Sequence, residues 1–148
     1  MPVADAKLRN VVRASHPGPL SIPDAETILE IAQLAVDADG REDPDEIATF
    51  FALGKHVFAL AGVAELPTPT FAPDEDDREH LTAVAQRLTG PAARELAYTA
   101  AYVLTILDVA VAPEEDAFIE DLRVALGLTE ARARELAAAI GNTIAPLA

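Results

Sequence analysis

Three observations on this sequence predict an all-α fold. No segment sustains period-two alternation, no hairpin dipeptide such as Asn-Gly separates β-branched runs, and alanine recurs throughout, so strand signals are nearly absent. Prolines and glycines cut the chain into pieces of helical length. At 148 residues and 51% hydrophobic content, one domain spanning 1–148 has enough apolar material to fold around a single core.

Seven helices are expected in order. The first covers roughly Ala4 to Ala14, with Leu8, Val11 and Val12 on one face, and stops before SHPGPLSIP, whose prolines cannot continue it. A second starts near Asp24 and carries Ile28, Leu29, Ala32, Ala35 and Val36. The third opens at Pro44, and Ile47, Phe50, Phe51, Gly54, Val57, Phe58 and Ala61 recur by threes and fours as an amphipathic helix requires. ELPTPTFAP, from Glu65 to Pro73, is a proline-punctuated crossover. The fourth helix turns Leu81, Val84, Ala85 and Leu88 inward, and its acidic start DEDDRE suits the positive end of the helix dipole. After a break at Gly90-Pro91, the fifth runs from about Ala92 to Val111, apolar on nearly every side, and belongs at the centre of the bundle. Pro113 opens a sixth with Phe118, Ile119, Leu122 and Leu126. Thr129 caps a seventh with Leu136 and Ile140.

Charge narrows the function classes. Eleven Lys and Arg stand against 25 Asp and Glu, a net charge of −14, and such a surface field repels phosphate backbones and anionic lipid. Nucleic acid is therefore not expected as a partner, whereas cations and a protein with a basic surface are. The absence of cysteine rules out disulfides, thiolate zinc sites and iron–sulfur clusters. MPVADAKLRNVVRASHPGPL lacks the apolar core and cleavage pattern of a signal peptide, and a cytoplasmic location is the expectation. The most apolar segment, Ala97 to Ala112, has only 16 residues and includes Asp108, against the roughly 20 a membrane span needs.

The stretch DADGREDPDE, Asp37 to Glu46, holds six acids in ten residues. Part of it is helix punctuation. Gly40 suits the left-handed end of one helix, Asp43 before Pro44 suits the N-cap of the next, and Glu46 completes an acidic variant of the capping box. Capping leaves Asp37, Asp39 and Glu42 unexplained. An EF-hand frame with Gly40 at loop position six places Asp37, Asp39 and Glu46 at ligand positions. It fails at position one, Ala35, and at position eight, where Glu42 replaces an apolar residue. A looser oxygen-ligand site for calcium, magnesium or manganese stays open beside the capping explanation.

A repeat bears on that choice. With Asp39 placed over Asp108, a shift of 69, Pro44 meets Pro113, Asp45 meets Glu114, Glu46 meets Glu115, Ala48 meets Ala117, Phe50 meets Ile119 and Leu53 meets Leu122. Each copy is an apolar helix ending near an aspartate, a short loop and a Pro-acid-acid helix start. Two such copies predict a bundle built on two pseudo-symmetric helical hairpins. Face-to-face packing of the hairpins would bring Asp39, Glu46, Asp108 and Glu115 together.

AVDADGREDPDE, with the second hairpin LTILDVAVAPEEDAFIEDLRVALGLT, resembles the TerB-like domains associated with bacterial tellurite resistance, over about Ile28 to Ala139. The resemblance implies an all-helical pseudo-symmetric fold and a role in metal binding or stress response, with Asp39, Glu46, Asp108 and Glu115 as ligands. The second hairpin departs from the pattern, with Val109 where the first has Gly40 and Val111 where it has Glu42.

Beyond the acidic corners the sequence offers little chemistry. Asp108 in TILDVAV requires a partner if buried, either a cation or the backbone amides that open the sixth helix. Tyr98 and Tyr102, one turn apart, suit either a small pocket or an amphipathic core position. His16, His56 and His80 stand apart from the acids, and no Gly-rich phosphate loop, GxSxG, HExxH or ExxH pair occurs. No enzyme activity and no organic cofactor are expected. The expected function is a non-catalytic module that binds a divalent cation through Asp37, Asp39, Glu42, Glu46, Asp108 and Glu115, with a metal-free acidic adaptor for a basic protein as the alternative.

Overall fold

A computed structural model describes residues 5–15, 18–37, 44–63, 77–105 and 113–144. Among these residues the chain forms seven helices and no strand: α1 (Asp5–Ser15), α2 (Ile22–Asp37), α3 (Pro44–Leu60), α4 (Asp77–Ala85), α5 (Pro91–Thr105), α6 (Pro113–Leu126) and α7 (Glu130–Ile144). None of them is long and apolar enough to cross a membrane. The crossover from Glu65 to Pro73, the residues Gly40 and Asp43, and the acids Asp74 to Asp76 lie outside the described residues.

Local chemistry sets the helix ends. α2 begins two residues earlier than the expected Asp24, because Ser21 caps it: the Asp24 amide donates to Ser21 Oγ at 3.2 Å. Pro23 then falls in the first turn, where its missing N–H removes no helical bond. Thr129 caps α7 in the same way, accepting from the Arg132 amide at 3.1 Å. The expected break falls in the turn that ends at Gly90, and Pro91 is the first residue of α5, one position before the expected start. The ends of α3 and α6 share one motif. At α3 the Val63 amide donates to the Phe58 carbonyl and the Gly62 amide to Ala59; at α6 Leu128 donates to Arg123 and Gly127 to Val124. Gly62 and Gly127 take φ of 77° and 72°, the left-handed conformation that this C-terminal motif demands.

α5 is the central element, as its apolar circumference predicts. It packs against α1, α2, α3, α6 and α7, most extensively against α2. Ala93, Leu96, Ala97, Tyr98, Thr99, Ala100, Ala101, Val103 and Leu104 are all buried, and the small side chains among them let α2 lie close. From α2 come Ala25, Ile28, Leu29, Ile31, Ala32 and Ala35. Each large aliphatic side chain so buried contributes about 1.5–3 kcal/mol of transfer free energy. α1 seals one flank against α3, α5 and α7; α4 seals another against α2 and α6.

Two expectations need correction. Phe51 is not part of the core stripe of α3. It is 48% exposed while Phe50 is 2% exposed: the inward stripe of α3 centres on Phe50, Leu53 and Val57, and Phe51, turned about 100° from Phe50, falls at its edge. The two rings meet edge to face at 5.3 Å between centroids. Leu88 is buried, but it lies beyond the end of α4, held in a tight turn by its amide bond to the Ala85 carbonyl.

Candidate functional site

The acidic junctions expected to bind a cation sit between α2 and α3 and between α5 and α6. Asp37 is the last residue of α2, Glu46 lies in the first turn of α3 and Glu115 in the first turn of α6. The side chains of these three, and Asp39, Glu42 and Asp108 entirely, lie outside the described residues. Among the described residues, no group of three or more His, Cys, Asp or Glu is placed to hold a metal ion. One described atom near the first junction stands out. The Thr49 side chain on α3 is 1% exposed, and its hydroxyl finds no hydrogen-bond partner among the described residues. A buried hydroxyl without a partner costs about 1–3 kcal/mol. Thr49 follows Glu46 by three residues on one helix, a spacing that places both positions on the same face.

A cleft of about 240 Å³ opens where α5, α6 and α7 meet. Tyr98 of α5 lies at its base, Glu120 and Arg123 of α6 form one wall, and Glu130, Ala133, Arg134 and Ala137 of α7 form the other. The Tyr98 ring stacks on Tyr102 at 6.1 Å between centroids, with planes 18° apart. Of the two expectations for this tyrosine pair, Tyr98 meets both: it is a core residue, 4% exposed, and it lines a pocket. Burial raises the Tyr98 phenol above its ordinary value, with further upward pushes from Tyr102 and Glu120 and an opposing one from Arg123. At neutral pH this hydroxyl is protonated, a hydrogen-bond donor rather than a base.

The charges around the cleft are mutually satisfied. Arg123 Nε donates to Glu120 at 3.0 Å, and its Nη1 reaches back to the Leu128 carbonyl at 2.9 Å, which fixes the turn that follows α6. That pairing lowers the Glu120 carboxyl and raises the Arg123 guanidinium. Arg134 meets Glu130 at 3.4 Å one turn apart on α7. The arrangement suits recognition of a polar group by fixed donors and acceptors; it supplies no activated nucleophile.

Three cross-helix arginine contacts escaped sequence reasoning. Arg132 of α7 grips both carboxylate oxygens of Glu95 on α5, Arg87 after α4 meets Glu30 of α2 at 3.0 Å, and Arg94 of α5 donates to the carbonyls of Leu88 and Leu126. Their partners lie 6 to 57 residues away along the chain, so no local spacing signals them. His56 is half-buried on α3. His16 and the His80 side chain lie outside the described residues.

No protein-family model, no curated protein and no solved structure matches this chain.

Proposed function

We propose that the chain is a non-catalytic, TerB-like helical module whose two acidic helix junctions hold a divalent cation such as calcium, magnesium or manganese. Asp37, Asp39, Glu42 and Glu46 supply oxygen donors from the first junction, and Asp108 and Glu115 from the second. Neutralising these carboxylates relieves their repulsion and sets the angle between two helical hairpins, α2–α3 and α5–α6, so that the surface offered to a protein partner changes with the ion. A stress or metal response, of the kind tellurite-resistance domains are associated with, is the setting this implies.

The observation that carries the proposal is the agreement of burial across the 69-residue shift. Ile28 and Ala97, Leu29 and Tyr98, Ile31 and Ala100, Ala32 and Ala101, Ala35 and Leu104, Leu53 and Leu122, and Val57 and Leu126 are buried in both copies. Phe51 and Glu120, Ala48 and Ala117, and Lys55 and Val124 are exposed in both. Pro44 and Pro113 each open a helix, and α2 packs on α5. Two hairpins sharing an inward face in this way support junctions that converge. The buried Thr49 hydroxyl, three residues after Glu46 on α3 and without a partner among the described residues, is a further candidate oxygen donor.

Calorimetric titration of calcium, magnesium and manganese into metal-stripped protein tests the proposal. Saturable heat at or below millimolar ion, weakened by Asp39→Asn and by Glu46→Gln, is expected. No saturable heat below about millimolar ion, equivalent to less than about 4 kcal/mol of binding, defeats it.

The second reading, a metal-free adaptor for a protein with a basic surface, rests on the charge count. With 25 acids against 11 cationic side chains, even complete pairing leaves an acidic excess of 14 to set the outer field; among the described residues Arg87, Arg123, Arg132 and Arg134 are engaged by carboxylates. Salt-sensitive binding of a basic partner that chelator leaves unchanged would favour it over the cation proposal.

A further inference from the structure

α1 and α3 pack against each other and leave between them a second cleft, of about 140 Å³. Its lining is unlike the rest of this acidic molecule. Arg9 and Arg13, one turn apart on α1, face His56 on α3, with Val12, Ala59 and Leu60 completing the walls.

The arginines themselves are the telling feature. Every described arginine from Arg87 onward is held by a carboxylate or by backbone carbonyls. Arg9 and Arg13 make no ion pair and no hydrogen bond among the described residues, although acids outnumber bases by 25 to 11 in the chain. Like charges four residues apart on a helix are mildly destabilising, and no described carboxylate offsets this pair. Two arginines lining one hollow bring planar forks of donors matched to oxyanions within reach of it. A volume of 140 Å³ is the share of about four or five waters at ~30 Å³ each, room for a phosphate group and a small substituent. The overall negative field opposes long polyanions, so a small, compact anion fits better than a nucleic acid.

We propose that the α1–α3 cleft binds the phosphate group of a small molecule through Arg9 and Arg13, with His56 on the opposite wall. The ligand is either inorganic phosphate or a small phosphomonoester. This site is separate from the acidic junctions and does not depend on a cation there.

Titration of inorganic phosphate, glycerol 3-phosphate and acetate into the full chain, followed by amide chemical shifts, tests the proposal. Saturable shifts on α1 and α3 are expected with phosphate at millimolar concentration or below, with acetate weaker. Arg9→Gln and Arg13→Gln should each weaken binding by about tenfold, the scale of one charge-assisted hydrogen bond. Both residues are exposed, so thermal melting of the variants should match the parent or rise slightly as the like-charge pair is removed. Ala59→Phe, which fills the hollow without changing charge, should abolish the shifts. Tighter binding of glycerol 3-phosphate identifies a phosphomonoester as the ligand; equal affinity identifies free phosphate. Absence of saturation above about 10 mM phosphate, or variants that bind as well as the parent, overturns the proposal.

Discussion

The guanidinium of Arg132 closes on both carboxylate oxygens of Glu95, at 2.7 and 2.8 Å, and so ties α7 to the central helix α5. A third bond, from Arg132 Nη1 to Glu135 at 2.8 Å, holds the fork in place. The hydrogen bond from Arg132 pulls the Glu95 carboxyl below its ordinary value, more strongly than partial burial pushes it up. The Arg132 guanidinium is raised correspondingly.

This pair gives the fold an acid-sensitive component. Because the folded-state value of Glu95 lies below that of the unfolded chain, near 4.3, the unfolded state takes up its proton first as pH falls. The stabilisation is complete above the unfolded value and disappears as pH drops through the folded one. Glu95→Gln should therefore lower stability at pH 7 by less than about 1 kcal/mol, since solvent screens the pair, and the gap from the parent should close below pH 4. Urea unfolding at several pH values measures it; a gap that widens in acid contradicts the assignment.

Arg94 should matter more than its half-exposed position suggests. Its Nε and Nη1 bind the carbonyls of Leu88 and Leu126, which joins the turn after α4 to the end of α6. Arg94→Met keeps the stem and strands both carbonyls, with an expected loss of about 2 kcal/mol. The urea midpoint should fall with little change in slope.

Truncation at the α2–α5 seam should be severe. Ile28 is 0% exposed on α2, whose most extensive packing is against the alanine-rich α5. Ile28→Ala should cost roughly 2–5 kcal/mol, read from equilibrium unfolding. Phe51→Ala, on the exposed side of α3, should cost far less, because so much of that ring is already in water.

Thr49→Val should raise stability by about 1 kcal/mol in metal-free protein, because it replaces a buried hydroxyl without a described partner by a methyl group of similar shape. A melting temperature that falls instead would mean that the hydroxyl is engaged.

Gly127→Ala should destabilise by about 1 kcal/mol through backbone strain alone. The position has φ of 72°, and the nearest atom to an added methyl group is Arg94 Nη1 at 3.5 Å, an ordinary contact.

Much of the helical layout was legible without coordinates, because its causes are local. Pro44 and Pro113 pre-set the first helical φ, Thr129 offers a cap, and the three-and-four spacing of Leu53, Val57 and Phe58 marks an inward face. The all-round apolarity of Leu96 to Leu104 foretold the burial of α5 for the same reason, since a helix with no polar face has no surface to give to water. Tertiary structure alone decided which charges meet. Glu95 finds Arg132 across 37 residues, Glu30 finds Arg87 across 57, and Arg9 and Arg13 line one cleft with His56. A helical period fixes where a side chain stands around its own axis; the crossing and depth of the neighbouring helices fix what it touches, and those follow from how the whole apolar surface packs.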